Sequence, residues 1–341
     1  MSHRSLVVLV LLGVLSLAGG WWLGPGRSPA AVNTADAGRL MFPGLAERLP
    51  EARRVEIVHQ GKTLAIERRG GDDAAWGLAD RGLYPIQTGV LRGLLTGLTE
   101  LRLVEPRTAD SGKYARLGVE DPDAPDGTSH LLRVLDGNGK PMAEVILGHR
   151  RVRTRGNLPE SVYVRMPGQA QSWLAEGKLA VSADPQTLID RDIIGIAAAR
   201  IMSVVVTRGT VRLEFARDGD KLALTSPAEH PPLDPSRLDD VAGALDNLTL
   251  LDVRRPQQPS PAPLGHTVFT AIDGLVIDVS VFNAGKELWA RFAVSGPPAI
   301  AADVQALETR LHGWEYQLGA WKEKSLLPTL DDLKPEPPAK P

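Results

Sequence analysis

Six histidines in the body of the chain are the residues best suited to metal or acid–base chemistry: His59, His130, His149, His230, His266 and His312. None stands in an HxH, HxxxH or HExxH pattern, so no local pair presents two imidazoles to one ion. Solvated or singly hydrogen-bonded histidines are the favoured reading. Asp121, Asp123, Asp126 and Gly127 have the look of a calcium loop, but Pro125 fills the fifth position and Leu132 stands where a bidentate Glu belongs. A turn with capping or solvated aspartates fits better, and Asp72-Asp73 after Gly70-Gly71 reads as a hairpin tip. Gly137-Asn138-Gly139-Lys140 lacks the spacing of a phosphate loop and lies between two strand-like runs. No serine occupies a GxSxG elbow; Ser203 reads as a strand position and Ser236 as a helix start. The chain has no cysteine, which removes disulfides, thiolate metal sites, Cys nucleophiles and a lipoprotein anchor. One basic cluster stands out: His149, Arg150, Arg151, Arg153 and Arg155. It reads as a solvated loop, or as a surface for lipid head groups or an acidic partner. Trp314 and Tyr316 are expected in the core of the last domain. No catalytic, cofactor-binding or metal-binding residue is expected from these patterns.

Elements that would position such residues are legible in part. The 341 residues are enough for two domains with cores of their own. Aromatic residues make up only 5%, so those cores must be built from Leu, Val, Ile and Ala. The formal net charge of -2 gives no electrostatic reason to expect nucleic acid.

The start of the chain speaks to location. Arg4 precedes an uncharged, mostly apolar run at 5–23 that ends on Trp21-Trp22. As a helix it would span about 28 Å, close to a bilayer core. Arg4 then reads as the cytoplasmic charge and Trp21 and Trp22 as interfacial anchors. A cleaved signal peptide is the rival reading, with Ala18 and Gly20 as small residues near a weak cleavage site. Either way the remainder is expected outside the cytoplasmic membrane, which in a Gram-negative cell is the periplasm.

The expected organisation is an anchor or signal segment at 1–23, a tether at 24–50, modules at 51–195 and 196–333, and a disordered Pro-rich tail at 334–341. Phe42 and Leu45 are expected to dock on the first module. The two modules follow from an internal echo. Val58, Gly61, Leu64, Ile66 and Arg68 match Val206, Gly209, Leu213, Phe215 and Arg217, at offsets of about 148 or 149 residues. Leu91, Leu94, Leu95, Leu98, Leu101 and Leu103 match Leu238, Val241, Ala242, Leu245, Leu248 and Leu250, at an offset of about 147. So long a period means a duplicated domain-sized unit. Each copy opens with two alternating runs around a tight turn, the mark of a hairpin. Each continues into a helix, starting at Pro85 or Pro235, with apolar residues at the 3, 4 and 7 spacing of one face. Trp173-Leu174-Ala175 reads as a last edge strand. The expected class is α+β: two tandem related modules of antiparallel sheet with one long helix each, preceded by one transmembrane helix.

Several segments resemble a known family. Leu117-Gly118-Val119-Glu120-Asp121-Pro122 is similar to a signature of the bacterial domain-of-unknown-function family 4340, with its usual Tyr-Gly-Leu loosened to Leu117-Gly118-Val119. The stretch 148–164 followed by Arg165, the step at 188–194, and the ending Gly313-Trp314-Glu315-Tyr316-Gln317-Leu318 with Leu330-Asp331-Asp332-Leu333 also resemble it. The likeness runs from about residue 50 to 333. It implies one membrane segment, an exported tandem-domain region, and company with ABC-type transport components similar to gliding-motility auxiliary proteins. It carries over no catalytic residue and no cofactor. The expected function is therefore a membrane-anchored periplasmic accessory protein with a binding or scaffolding role, its partners the inner membrane and ABC transport subunits. The alternatives are a periplasmic hydrolase using carboxylates scattered in sequence, or a module binding a small ligand between the two copies. A functional surface is expected where the copies differ or meet, at 149–155 or 188–200.

Overall fold

The computed structural model describes residues 37–70, 75–151 and 159–335. The expected anchor with Arg4, Trp21 and Trp22, the tether as far as residue 36, and residues 336–341 of the tail lie outside the described residues. Among the described residues no helix is long and apolar enough to cross a membrane.

The first module is a nine-stranded antiparallel sheet. Its strands in chain order are β1 Ala52–His59, β2 Lys62–Arg68, β3 Trp76–Leu78, β4 Tyr84–Pro85, β5 Arg102–Pro106, β6 His130–Asp136, β7 Pro141–Arg151, β8 Ser161–Arg165 and β9 Ser172–Glu176. They lie side by side in the order β4-β3-β2-β1-β6-β7-β8-β9-β5. A short β10, Asp192–Ile194, belongs to the segment between the modules. The second module holds β11 Ile201–Arg208, β12 Val211–Asp218, β13 Lys221–Ser226, β14 Leu248–Thr249, β15 Asp252–Arg254, β16 Gly265–Ala271, β17 Val276–Ala284, β18 Glu287–Ser295 and β19 Glu315–Leu318. Its eight-stranded sheet runs β13-β12-β11-β16-β17-β18-β19-β15. Strand for strand this is the first sheet's order without β4, so the duplication extends to topology. The α+β class and the tandem modules are found as expected.

The echo needs one correction in register. β1 and β11 share the burial pattern of their first six residues when Ala52 is set on Ile201, Val55 on Val204 and Ile57 on Val206. Val58 therefore matches Thr207, not Val206, and Gly61 matches Thr210, not Gly209. A strand's side chains alternate between faces, so a slip of one residue exchanges core for surface. The two hairpin turns differ accordingly. Gln60 and Gly61 both have positive φ, whereas in the second copy Gly209 alone does.

Helices sit against one face of each sheet. They are α1 Leu45–Arg48, α2 Thr88–Glu100, α3 Pro235–Ala242, α4 Ala301–Leu311 and α5 Glu323–Leu326. α2 buries Leu91, Leu94 and Leu98, the face its spacing predicts, but starts at Thr88 because Tyr84-Pro85 is a strand. α3 is shorter than its apolar spacing suggests. It ends before Gly243, and Asn247 at φ 47° turns the chain, so Leu245 and Leu248 are buried beyond the helix. The longest helix of the second module is α4, between β18 and β19, which has no counterpart in the first. Trp173-Leu174-Ala175 lies in β9, flanked by β8 and β5, so β5 is the edge. Phe42 and Leu45 dock on the first module as expected; Met41 is buried beside them, its amide donating to the Leu101 carbonyl at 2.7 Å.

Alternation gives the first sheet two used faces. Ile57, Leu132, Val145 and Leu147 face the main core with α2. Val58, Leu131 and Ile146 face the other way, into a small second core with Tyr114 and Val119 from the 107–129 loop. The main core is continuous through both modules.

Candidate functional site

The two modules meet over a segment stitched to both. The Gln87 amide donates to Leu188 O at 2.8 Å, and Gln87 Nε2 to Ile189 O at 2.9 Å. On the other side the Ile196 amide donates to Leu245 O and the Leu250 amide to Arg191 O. Arg81 of the first module pairs with Asp252 of the second at 2.6 Å. Tyr84 meets Trp314 edge to face at 4.9 Å. Beside these contacts lies an open groove of about 650 Å³, lined by Arg69, Tyr84 and Gln87 from the first module, Asp190 from the junction, and Arg255, Thr309, Arg310, His312 and Trp314 from the second.

Its cations are held in different ways. Arg310 donates to Asp190 at 2.9 Å and to the Asp192 carbonyl. Arg69 is held by the Leu83 carbonyl, to which both Nε and Nη2 donate. Arg255 donates to Gly82 O at 3.3 Å and Gly313 O at 3.2 Å, and its Cζ lies over the Trp314 ring, 3.7 Å from the centroid. Gly82 is left-handed at φ +63° and has no Cβ where the Arg255 stem crosses it. Burial, then the nearby Arg69 charge, lowers the Arg255 guanidinium below its ordinary pKa. Burial raises the Tyr84 phenol. The groove can thus receive negative charge and a flat or apolar group; its lining offers one carboxylate, Asp190.

Other residues singled out in the sequence are mostly scaffold. His149, Arg150 and Arg151 lie exposed at the end of β7. Arg150 pairs with Glu160 at 2.5 Å and His149 Nε2 lies 3.2 Å from Thr128 Oγ1. Arg153 and Arg155 lie outside the described residues, as do Asp72 and Asp73. Asp121 accepts from Arg165 at 2.6 Å. Arg165 itself is buried, donates to Val119 O at 2.8 Å, and stacks over Tyr114. Glu120 accepts from the Thr128 and Ser129 amides; burial works to raise its pKa, and these donors outweigh it and lower it. In the turn at 137–140 the Asn138 and Lys140 amides point to the Asp136 carboxylate, where a phosphate loop would need them free. Tyr316 and Trp314 are buried as expected, and Glu315 between them is fully buried with Arg254 at 2.8 Å and Arg291 at 2.5 Å. Among the described residues no group of three or more His, Cys, Asp or Glu could hold a metal ion.

Sequence reasoning missed one pair. His59 and His130 stack with centroids 4.2 Å apart and planes 4° from parallel. The pairing of Val58 with Leu131 puts them next to each other, 71 positions apart in sequence, so only the β1–β6 register could have shown it.

Residues 76–266 match the family model described as Domain of unknown function (DUF4340). The matched stretch begins at β3 and ends just inside β16, so it straddles both modules. No curated protein and no solved structure matches the chain.

Proposed function

The chain belongs to the DUF4340 family, and we propose that it is a single-pass accessory protein of an envelope transport system, held to the inner membrane by 5–23 and working by binding in the periplasm. The observation that supports this most is how the family-matched stretch uses its charges. Glu120, Asp121 and Arg165 close the 107–129 loop onto the sheet, and Asp136 closes a hairpin turn. These residues maintain shape, and the surface they leave for recognition is the groove where the copies meet. The apolar run between Arg4 and Trp21-Trp22 supplies the anchor. A small-ligand-binding role is a second reading, favoured by the cationic lining of that groove. A hydrolase with paired carboxylates finds no support there, since Asp190 is the lone carboxylate of the lining.

Membrane fractionation followed by affinity capture from detergent extracts at native expression tests the first reading. Retention in the carbonate-washed membrane, loss of that retention on deleting 5–23, and co-purification of an ABC-type permease or ATPase are expected. Recovery of the chain alone would overturn it.

A further inference from the structure

We propose that the groove between the modules is an oxyanion site, in which the guanidiniums of Arg69 and Arg255 together bind a phosphate or carboxylate group. This deepens the ligand-binding reading and stands independently of the transport-complex reading.

The argument rests on how the two cations are held. A solvent-facing arginine commonly finds a carboxylate. Among the described residues neither Arg69 nor Arg255 has one within ion-pair distance. Both are fixed instead by neutral acceptors: Leu83 O for Arg69, and Gly82 O with Gly313 O for Arg255. Trp314 backs the Arg255 guanidinium on one side, its ring centroid 3.7 Å from Cζ. Carbonyls and a ring orient a guanidinium without cancelling its charge. Two such forks set beside one groove repel each other until an anion lies between them, and forks of this shape suit the paired oxygens of phosphate or carboxylate. Arg310 contributes little, because Asp190 already neutralises it. Three guanidiniums therefore face a single carboxylate in the lining. Both modules are needed: Arg69 leaves the end of the first hairpin, Arg255 follows β15, and the glycine that admits Arg255 belongs to the first module. At the positions of Arg68 and Arg69 the second copy has Arg217 and Asp218, the last two residues of β12, so an acid stands where Arg69 does and the cationic pair arises only at the junction.

Isothermal titration calorimetry of the full chain in neutral detergent tests the site, with inorganic phosphate, pyrophosphate and citrate as probes. A parallel arm measures co-sedimentation with vesicles of phosphatidylglycerol against phosphatidylcholine. Binding that weakens at least tenfold in Arg255→Ala and in Arg69→Ala, and stays unchanged in Arg212→Ala, an exposed residue of β12, supports a soluble anion. The same dependence seen only with phosphatidylglycerol vesicles supports the oxyanion site with a lipid head group as its source. Arg255→Lys keeps the charge and loses the fork, and it should weaken binding while far-UV circular dichroism shows the chain still folded. No binding in either arm, or binding indifferent to Arg69 and Arg255, overturns the proposal.

Discussion

Arg165 shows how a single residue converts a sequence motif into structure. It is buried, and its guanidinium holds Val119 O, Gln169 O and Asp121 while covering the Tyr114 ring. Arg165→Ala would leave those carbonyls unmet and open the second core. A loss of about 3–5 kcal/mol is expected in urea unfolding, with new proteolysis inside 107–129. Asp121 is largely exposed, so Asp121→Asn should cost less than about 1 kcal/mol. Equal losses from the two substitutions would refute the view that the carbonyls dominate. His130 gives a pH dependence. Burial, then the adjacent His59, holds its pKa below the ordinary value. An unfolded histidine titrates near about 6.5. Stability from this residue is therefore complete above that pH. It falls as the pH drops from there towards the depressed folded pKa, and levels off below it. Urea midpoints across pH 8 to 4 should show the decline, and His130→Gln should flatten that part of the curve. Little of the groove was legible at this scale. Arg69, Asp190, Arg255 and Arg310 come from separate segments, and no spacing rule joins residues that only a domain junction brings together. The junction at 188–200 was the nearest sequence pointer, and Asp190 is the part of it that lines the groove.

At the scale of elements, what is local was legible. The first hairpins, the Leu91–Leu94–Leu98 face and the docking of Phe42 and Leu45 all follow from periodicity and turn chemistry. What failed was register and termination. Matching Gly61 to Gly209 aligned the glycines but moved β1 by one residue, because the two turns place glycine at different positions. Apolar spacing carried the second helix through Leu248, although Gly243, Asp246 and Asn247 interrupt it. The sheet order was beyond reach, since β5 closes next to β9 across the 65 residues 107–171. Helix α2 offers a sharp test of packing against propensity. Gly93 and Gly97 share the helix. A Cβ on Gly93 would meet nothing within 4 Å, whereas one on Gly97 would overlap the Lys178 carbonyl. Gly93→Ala should stabilise by about 0.5–1 kcal/mol through helix propensity. Gly97→Ala should destabilise by about 1–3 kcal/mol despite the same propensity gain. Chemical denaturation of both variants decides it, and a stabilised Gly97→Ala would mean that α2 does not lie against 177–179 as described.

For the whole molecule the question is whether duplication left two independent bodies. The main core includes buried residues from both modules without interruption. The 188–196 segment bonds to both sides, and Tyr84, Trp314 and Tyr316 pack as one aromatic group across the junction. Neither sheet could separate without exposing this apolar surface, a penalty of roughly 25 cal/mol per Å². Calorimetry should therefore show a single transition, with equal calorimetric and van't Hoff enthalpies. Trp314 is 5% exposed and touches both Tyr84 and Arg255, so it is the side chain whose removal should uncouple the copies. Trp314→Ala is expected to cost about 3–5 kcal/mol and to split the transition or lower its van't Hoff ratio. Trp289→Ala, a buried tryptophan within the second sheet, should cost a similar amount while leaving one transition. Two resolved transitions in the unaltered chain would show that the junction is only a contact between separate domains. The groove would then be a variable cleft, and Arg69 and Arg255 would lose the fixed spacing that a shared anion requires.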